Sequence, residues 1–142
     1  MKTEFDLHSF LPFLMHHASE KVSFGFRDIY RDQYRMTRSE WRVLATLGQY
    51  GALTATEIVP HTGLHKTKVS RAVFSIEQRR WLKRRQDEQD RRIQRLELTS
   101  QGTSAFASLC EAGVAYNRKA RDFLGDDDFA QLCNLLLKLN DL

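Results

Sequence analysis

The basic residues of this chain cluster between positions 66 and 95, where eleven Lys and Arg residues stand against four acidic ones. This segment carries a net charge of +7, whereas the whole chain of 142 residues carries +4. A concentrated positive field attracts polyanions, because basic side chains release the counterions that phosphates condense. The pattern favours a nucleic-acid partner, although a charge run by itself can also be an ordinary solvated surface.

A helix predicted over residues 65–79 opens this basic segment. Its apolar residues recur at helical spacing and should pack on the core: Leu64, Val69, Ala72, Val73 and Ile76. An α-helix fits the major groove of B-DNA and reaches base edges with its first turns. We expect this helix to bind DNA through the polar and basic residues His65, Lys66, Thr67, Lys68, Ser70 and Arg71.

A hairpin is predicted next, with strands at 82–86 and 93–99 and a polar tip at 87–92. A hairpin beside a recognition helix can insert an arginine into the minor groove, where the negative potential is enhanced. The Asp90 carboxylate can hold the Arg92 guanidinium in a fixed direction. The hairpin residues expected to contact DNA are Arg84, Asp90, Arg91 and Arg92.

Start and stop signals predict the helices that must position these residues. Residues 6–34 have the pattern of a long first helix, and Thr37 to Glu40 and Thr54 to Glu57 are capping boxes that open two more. Pro60 should truncate or kink the third helix. Thr99 should cap a fifth helix that Gly125 ends, and a leucine-rich last helix follows, typical of packing on a second subunit.

These elements predict a mainly α (α+β) fold: a winged helix-turn-helix with about six helices and a two- to three-stranded antiparallel wing. The chain resembles the MarR family (multiple antibiotic resistance regulators) of winged-helix repressors. The resemblance rests on the run of residues Leu64, Val69, Ser70, Arg71, Ile76, Glu77, Leu82, Arg84, Asp90, Arg92, Leu98, Thr99 and Gly102. Asp90-x-Arg92 followed by Leu98-Thr99-x-x-Gly102 is its most specific part.

The resemblance implies a homodimer that binds a near-palindromic double-stranded DNA operator. Residues 35–99 would be the DNA-binding lobe of a single 142-residue unit, and residues 1–34 and 100–142 would be the dimerisation helices. Thr67, Lys68 and Arg71 would read bases or grip phosphates, with Arg92 at the wing tip and Asp90 orienting it. Members of the family commonly release DNA when a small aromatic or anionic effector binds near the dimer interface.

The chain departs from the family pattern at three positions. Arg80 stands where the family usually has glycine, so we expect the turn after the recognition helix to differ. His65 replaces a better helix cap. Gln89 replaces an extra arginine at the wing tip. We expect these changes to alter the affinity and the details of DNA binding rather than the activity itself, because Arg71 and Arg92 are retained.

The N-terminal aromatic residues allow two interpretations. Phe13, His17 and Trp41 could line an effector pocket, or they could be core and dimer interface. Cys110 and Cys133 lie on apolar stripes and are expected to pack as core residues. No metal site is expected, because the chain lacks His-x3-His and Cys-x2-Cys pairs.

We therefore expect a cytoplasmic, sequence-specific DNA-binding transcriptional regulator, a repressor released by a small molecule. No enzyme or cofactor is expected, because no phosphate-binding loop, dinucleotide fingerprint, zinc-protease motif or nucleophile elbow occurs. No apolar run approaches the roughly 18 residues of a membrane span. The alternatives are an effector-independent architectural DNA-binding protein and a winged-helix adaptor that binds proteins.

Overall fold

A computed structural model describes residues 4–142. After a 3-10 turn at Leu7–Ser9, the described residues form six α-helices and two strands. Their bounds are α1 Leu11–Tyr34, α2 Arg38–Tyr50, α3 Ala55–Thr62, α4 Lys66–Gln78, β1 Leu82–Gln86, β2 Gln94–Leu98, α5 Ser100–Leu124 and α6 Asp126–Leu139. The predicted fold class is confirmed. The first helix begins at Leu11 rather than residue 6, because Phe10 is extended and Pro12 lies in the first turn. None of the described helices has the length and apolarity to cross a membrane.

Both predicted capping boxes are present. Thr37 accepts a hydrogen bond from the Glu40 amide, and the Glu40 side chain accepts one from the Thr37 amide. Thr54 and Glu57 repeat this arrangement at the start of α3. Each box satisfies two amides that a helix N-terminus would otherwise leave unpaired. Pro60 lies inside α3, which continues only as far as Thr62.

The chain folds into two compact units, of which the first ends at Phe106 and the second spans Ala107–Leu142. In the first unit, α2, α3 and α4 pack around a dry core with the strand residues. The side chains of these elements with 3% or less of their surface exposed are Val43, Leu44, Leu47, Ile58, Val69, Ala72, Val73, Ile76, Leu82 and Leu96. Because the four buried residues of α4 lie on one face, the opposite face is exposed to solvent.

The strands β1 and β2 form an antiparallel hairpin in which Leu82 pairs with Leu98 and Gln86 with Gln94. Leu53 adds an isolated bridge to Leu96, with N···O distances of 3.0 and 2.7 Å. This bridge ties the base of the hairpin to the segment between α2 and α3. The hairpin therefore stands at a fixed position beside the helix-turn-helix.

The turn between α4 and β1 retains a left-handed residue although it lacks glycine. Arg80 has φ +62°. The Arg80 amide donates to the Glu77 carbonyl at 2.9 Å, and the Trp81 amide donates to the Ile76 carbonyl at 3.2 Å. These two bonds make a Schellman motif, which places a left-handed residue at this position. The expectation of a different turn was wrong, and Arg80 bears the strain that a glycine would avoid.

Thr99 connects this turn to α5. Its hydroxyl donates to the Arg80 carbonyl at 2.7 Å and accepts from the Gly102 amide at 3.1 Å. Gly102 lies so close to the Trp81 carbonyl oxygen that a Cβ atom at this position would overlap it. The Thr99-x-x-Gly102 motif therefore fixes the two ends of the hairpin to the start of α5.

The second unit contains the end of α5 and all of α6, separated by Gly125 at φ +88°. Arg121 lies over the Phe129 ring, 5.0 Å from its centroid. The three aspartates Asp126, Asp127 and Asp128 occupy the first turn of α6, where the helix dipole favours negative charge. No residue of α6 is buried.

Candidate nucleic-acid interface

Helix α4 presents an exposed and mostly polar surface opposite its buried face. Val69, Ala72, Val73 and Ile76 are buried. On a helical wheel, Thr67, Ser70, Arg71 and Phe74 fall within about 100° of one another on the far side. All four are exposed. The sequence-predicted residues Thr67, Ser70 and Arg71 are thus brought together on one face.

His65 caps this helix, contrary to the expectation that it would do so poorly. Its imidazole Nδ1 accepts a hydrogen bond from the Thr67 amide at 3.2 Å. His65 therefore has a local structural role at the start of α4 and holds Thr67 in the first turn.

Four of the predicted cations are exposed and unpaired. Lys66, Lys68 and Arg71 on α4, and Arg91 at the wing tip, are exposed side chains. Within residues 4–142, none of these four side chains forms a hydrogen bond or an ion pair. Their charges are therefore not neutralised inside the protein and are available to an external polyanion.

The wing tip holds Arg92 in a defined direction. Its Nε and Nη2 atoms lie 3.0 Å from Asp90 Oδ1 and Oδ2, and its amide donates to Asp90 Oδ1 at 3.1 Å. The Arg92 side chain is nevertheless 90% exposed. These hydrogen bonds lower the pKa of Asp90 and raise that of Arg92. A bidentate pair restricts the guanidinium without removing it from solvent.

Asp87 is an organising residue of the wing that sequence analysis missed. It accepts from Arg95 Nε at 2.9 Å and from the Asp90 amide at 3.1 Å. The hydrogen bond from Arg95 is the largest cause that lowers the pKa of Asp87. An aspartate that opens a turn and bonds to an amide further along is a recognisable signal. It could have identified Asp87 as the residue that shapes the tip.

Several basic residues of the segment serve the fold instead. Arg84, predicted to bind DNA, donates from Nε to Glu77 at 2.8 Å and from Nη1 to Gln94 at 3.4 Å. Its side chain stays 39% exposed. Arg79 donates to the Tyr34 and Arg35 carbonyls and to Glu40 at 2.5, 3.0 and 3.3 Å. The charge count of the sequence therefore overstates the charge that can bind a ligand.

The three proposed effector-pocket residues do not converge within the described part of this chain. The Phe13 ring contacts the His17 ring, with centroids 4.2 Å apart and the ring planes tilted by 60°. Trp41 contacts Phe26 and Tyr30 at 5.5 and 6.2 Å. Phe13 and Phe26 are thirteen residues apart on α1, which corresponds to about 20 Å along the helix.

Helix α1 carries an arginine, Arg27, whose guanidinium has a donor without a hydrogen-bond partner. Arg27 packs over the Phe24 ring, with its Cζ atom 4.0 Å from the centroid. Its Nε atom is buried and has no hydrogen-bond partner among residues 4–142. A buried donor without an acceptor is unfavourable unless a ligand or partner satisfies it. Arg27 was not predicted, and its position in a long helix gave no signal.

The chain is similar to a known protein family, to two bacterial relatives and to several solved structures. The model of the MarR family matches residues 36–94, which run from the start of α2 to β2. This match covers less than half of the chain and includes the helix-turn-helix and most of the hairpin. Two relatives in Bacillus subtilis (strain 168) are each 26% identical. The uncharacterized HTH-type transcriptional regulator YpoP aligns over 74% of both chains, and the HTH-type transcriptional repressor MdtR over 73% of this chain and 67% of its own.

Solved structures of MarR regulators resemble nearly the whole chain. The MarR family transcriptional regulator SPO1453 from Silicibacter pomeroyi DSS-3 is 28% identical, with a TM-score of 0.85 over 97% of this chain and 98% of its own. BpsR of Bordetella bronchiseptica, described as regulated by 6-hydroxynicotinic acid, has a TM-score of 0.86 at 18% identity and 99% coverage of both chains. NadR in complex with 4-hydroxyphenylacetate has a TM-score of 0.81 at 22% identity and covers 98% of this chain and 97% of its own. The chain therefore shares its fold with MarR-family transcriptional regulators.

Proposed function

We propose that this chain is a MarR-family transcriptional regulator that binds a specific double-stranded DNA operator through α4 and the wing. The observation that carries the proposal is the pairing of two features in one compact unit. The exposed face of α4 holds unpaired cations beside the polar residues Thr67 and Ser70, and the wing tip presents a directed arginine. Phosphate contacts by the cations would position the helix, and the polar residues would read base edges.

The wing would act in the adjacent minor groove. Arg92 is held by Asp90 before any ligand arrives, so less conformational entropy is lost when the guanidinium enters the groove. The narrow minor groove of A·T-rich DNA attracts arginine through its enhanced negative potential. Arg91 has no such holding partner in the described chain and would contact phosphate.

The operator-binding form would be a homodimer. Residues 35–99 would be its DNA-binding lobe, and residues 1–34 and 100–142 its dimerisation helices. Leu132, Leu135 and Leu136 of α6 are each more than 40% exposed and lie on one helix face, an arrangement that supports a second copy as their partner. Two recognition helices about 34–36 Å apart could then enter successive major grooves.

The regulator would act as a repressor that a small aromatic anion releases. The repressor MdtR and the ligands named for BpsR and NadR support this class. In this chain, Arg27 offers an unsatisfied buried donor beside Phe24, on the helix whose Phe26 and Tyr30 contact Trp41. A carboxylate bound to Arg27 would satisfy that donor, and an aromatic ring could pack nearby.

Fluorescence anisotropy with a labelled duplex of the intergenic region beside the gene tests DNA binding. We expect tight binding with a steep negative salt slope and weak binding to scrambled DNA. Arg92→Ala should weaken operator binding by about 1–3 kcal/mol and reduce the salt slope. Arg31→Ala is the matched control, because Arg31 lies on α1, outside the proposed DNA-contacting residues, and pairs with Asp28 at 2.9 Å.

The rival functions give different results in the same titration. Equal affinity for operator and scrambled DNA would favour an architectural DNA-binding protein. No binding at low salt would favour a protein-binding adaptor. An Arg92→Ala protein with unchanged affinity and salt slope would contradict the role of the wing even if α4 binds DNA.

Adding ligands to the operator complex tests the effector. We expect 4-hydroxyphenylacetate or 6-hydroxynicotinate to release the DNA, and 4-hydroxyphenylethanol, which lacks the carboxylate, to leave it bound. Arg27→Met should abolish release while retaining DNA binding, and Arg31→Ala should respond like the wild type. Release that persists in Arg27→Met would place the anion elsewhere.

A further inference from the structure

The exposed face of α4 carries one large apolar side chain that the charge pattern does not explain. Phe74 is 60% exposed and makes no ring contact within residues 4–142. Burying an aromatic ring is favourable, so the exposure of Phe74 on a short surface helix suggests a partner that covers it. The core of the unit leaves Phe74 at the surface, because Val69, Ala72, Val73 and Ile76 already fill the buried face.

Phe74 lies in the middle of the face that is proposed to enter DNA. On the helical wheel it falls about 20° from Thr67, which is two turns earlier, and it follows Ser70 and Arg71 by four and three residues. Of the unpaired cations, Arg71 lies on this face, and Lys66 and Lys68 flank it. A polyanion is therefore the partner that fits the surroundings of the ring, and an apolar protein pocket would have to bury those charges without compensation.

A phenyl ring gains nothing from a phosphate oxygen or a polar base edge. In the major groove, the apolar group among the base edges is the C5 methyl of thymine. We propose that Phe74 is a specificity-determining residue that packs against a thymine methyl in the operator. This inference rests on the proposed binding of α4 in the major groove and adds a preference for T·A pairs at one position in each half-site.

Removing the methyl and the ring separately tests the contact. The wild-type protein first selects its site from random duplexes, and the site is then synthesised with either thymine or deoxyuridine at every thymine position. We expect uracil substitution to weaken wild-type binding by about 3- to 10-fold, as for losing one to two buried methyl-sized contacts. Phe74→Ala should bind the thymine duplex more weakly by a similar factor and lose its sensitivity to uracil.

Two further variants serve as matched controls. Gln78→Ala removes an exposed polar side chain one turn further along the same face and should keep the full sensitivity to uracil. Phe74→Leu keeps an apolar side chain and should retain part of it. Because positions 74 and 78 are both exposed, all three variants should fold, and circular dichroism with thermal unfolding verifies this independently of DNA.

The outcomes separate this inference from the proposed function. If the wild-type protein selects no site, sequence-specific operator binding, and with it the proposed function, is overturned. If it selects a site but binds the uracil duplex equally well, the thymine contact is wrong and any loss in Phe74→Ala comes from a contact to sugar. If Phe74→Ala loses affinity yet remains fully sensitive to uracil, another residue reads the methyl groups and the assignment of Phe74 is overturned.

Discussion

The winged-helix lobe and helix α6 differ in how they place their apolar side chains. In the lobe, α2, α3, α4 and β2 bury residues such as Leu44, Ile58 and Leu96 almost completely within one chain. In α6, which belongs to the second compact unit, Leu132, Leu135 and Leu136 remain between 43% and 51% exposed. The lobe can thus complete its core alone, whereas α6 leaves an apolar face exposed. An apolar face of this kind is typical of an assembly surface rather than of a monomer.

Disrupting the α6 face should have the largest effect. Replacing both Leu132 and Leu136 with glutamate should give monomers, because each charge would be buried in an apolar interface. Operator affinity should fall by about 10²- to 10⁴-fold, since the second half-site is no longer held at high effective concentration. Deleting residues 129–142 should likewise give monomers or aggregates. Light scattering and anisotropy measure the two effects.

The control for this prediction is Asn134→Glu, on the opposite side of α6. It adds charge without touching the leucine face, so the dimer and its affinity should persist. A well-folded dimer in the Leu132/Leu136 variant would show that α6 is not the interface.

Gly102→Ala should have the next largest effect, within the lobe. Its methyl group would overlap the Trp81 carbonyl, which is part of the backbone and cannot move aside cheaply. We expect the free energy of unfolding to fall by about 3 kcal/mol, at the upper end for overpacking. Urea denaturation provides the measurement. Thr103→Ala, at the exposed next position, should change stability by less than about 0.5 kcal/mol.

Arg80→Gly should stabilise the lobe by about 1 kcal/mol, because glycine tolerates φ +62° without steric strain. Arg80→Ala separates this cause from the removal of charge, since alanine retains the Cβ atom that makes the left-handed conformation unfavourable. Thermal unfolding of both variants tests the difference. Equal stabilisation by alanine and glycine would attribute the gain to relief of charge repulsion instead.

The smallest predicted effect concerns titration of the wing. The pKa of Asp87 is lowered, first by the hydrogen bond from Arg95. The contribution of this pair to stability is therefore fully present above the ordinary aspartate pKa of about 3.9, and is lost as pH falls through the lower value. Carboxyl carbon NMR of Arg95→Gln should show the Asp87 pKa rising. Arg85→Gln, whose arginine pairs with Glu97, should leave it unchanged.

The sequence alone predicted the elements well where local signals are strong. The capping boxes of α2 and α3, the strand β1 and the break at Gly125 depend on side chains within a few residues of one another. Their hydrogen bonds form in any context that allows a helix or turn. The Asp90–Arg92 pair was predicted for the same reason, because its partners are only two positions apart in one short turn.

Pairings between distant residues could not be predicted in this way. Arg84 meets Glu77, and Arg79 meets Glu40 and two carbonyls of the α1–α2 connection, only after the helices have packed. A charge count treats these arginines like Lys68 or Arg71, although their charges are used inside the fold. Likewise, Phe13 and Trp41 are both aromatic, but Trp41 of α2 contacts Phe26, which lies about 20 Å along α1 from Phe13.

Local chemistry in the sequence thus determined which segments form helices and strands, and where basic side chains are concentrated. The tertiary structure decided which of those cations remain free, which direction Arg92 takes and which apolar side chains, Phe74 and the α6 leucines among them, stay exposed. The physical reason is that a helix cap or turn depends on neighbours in the chain, whereas burial and ion pairing depend on neighbours in space.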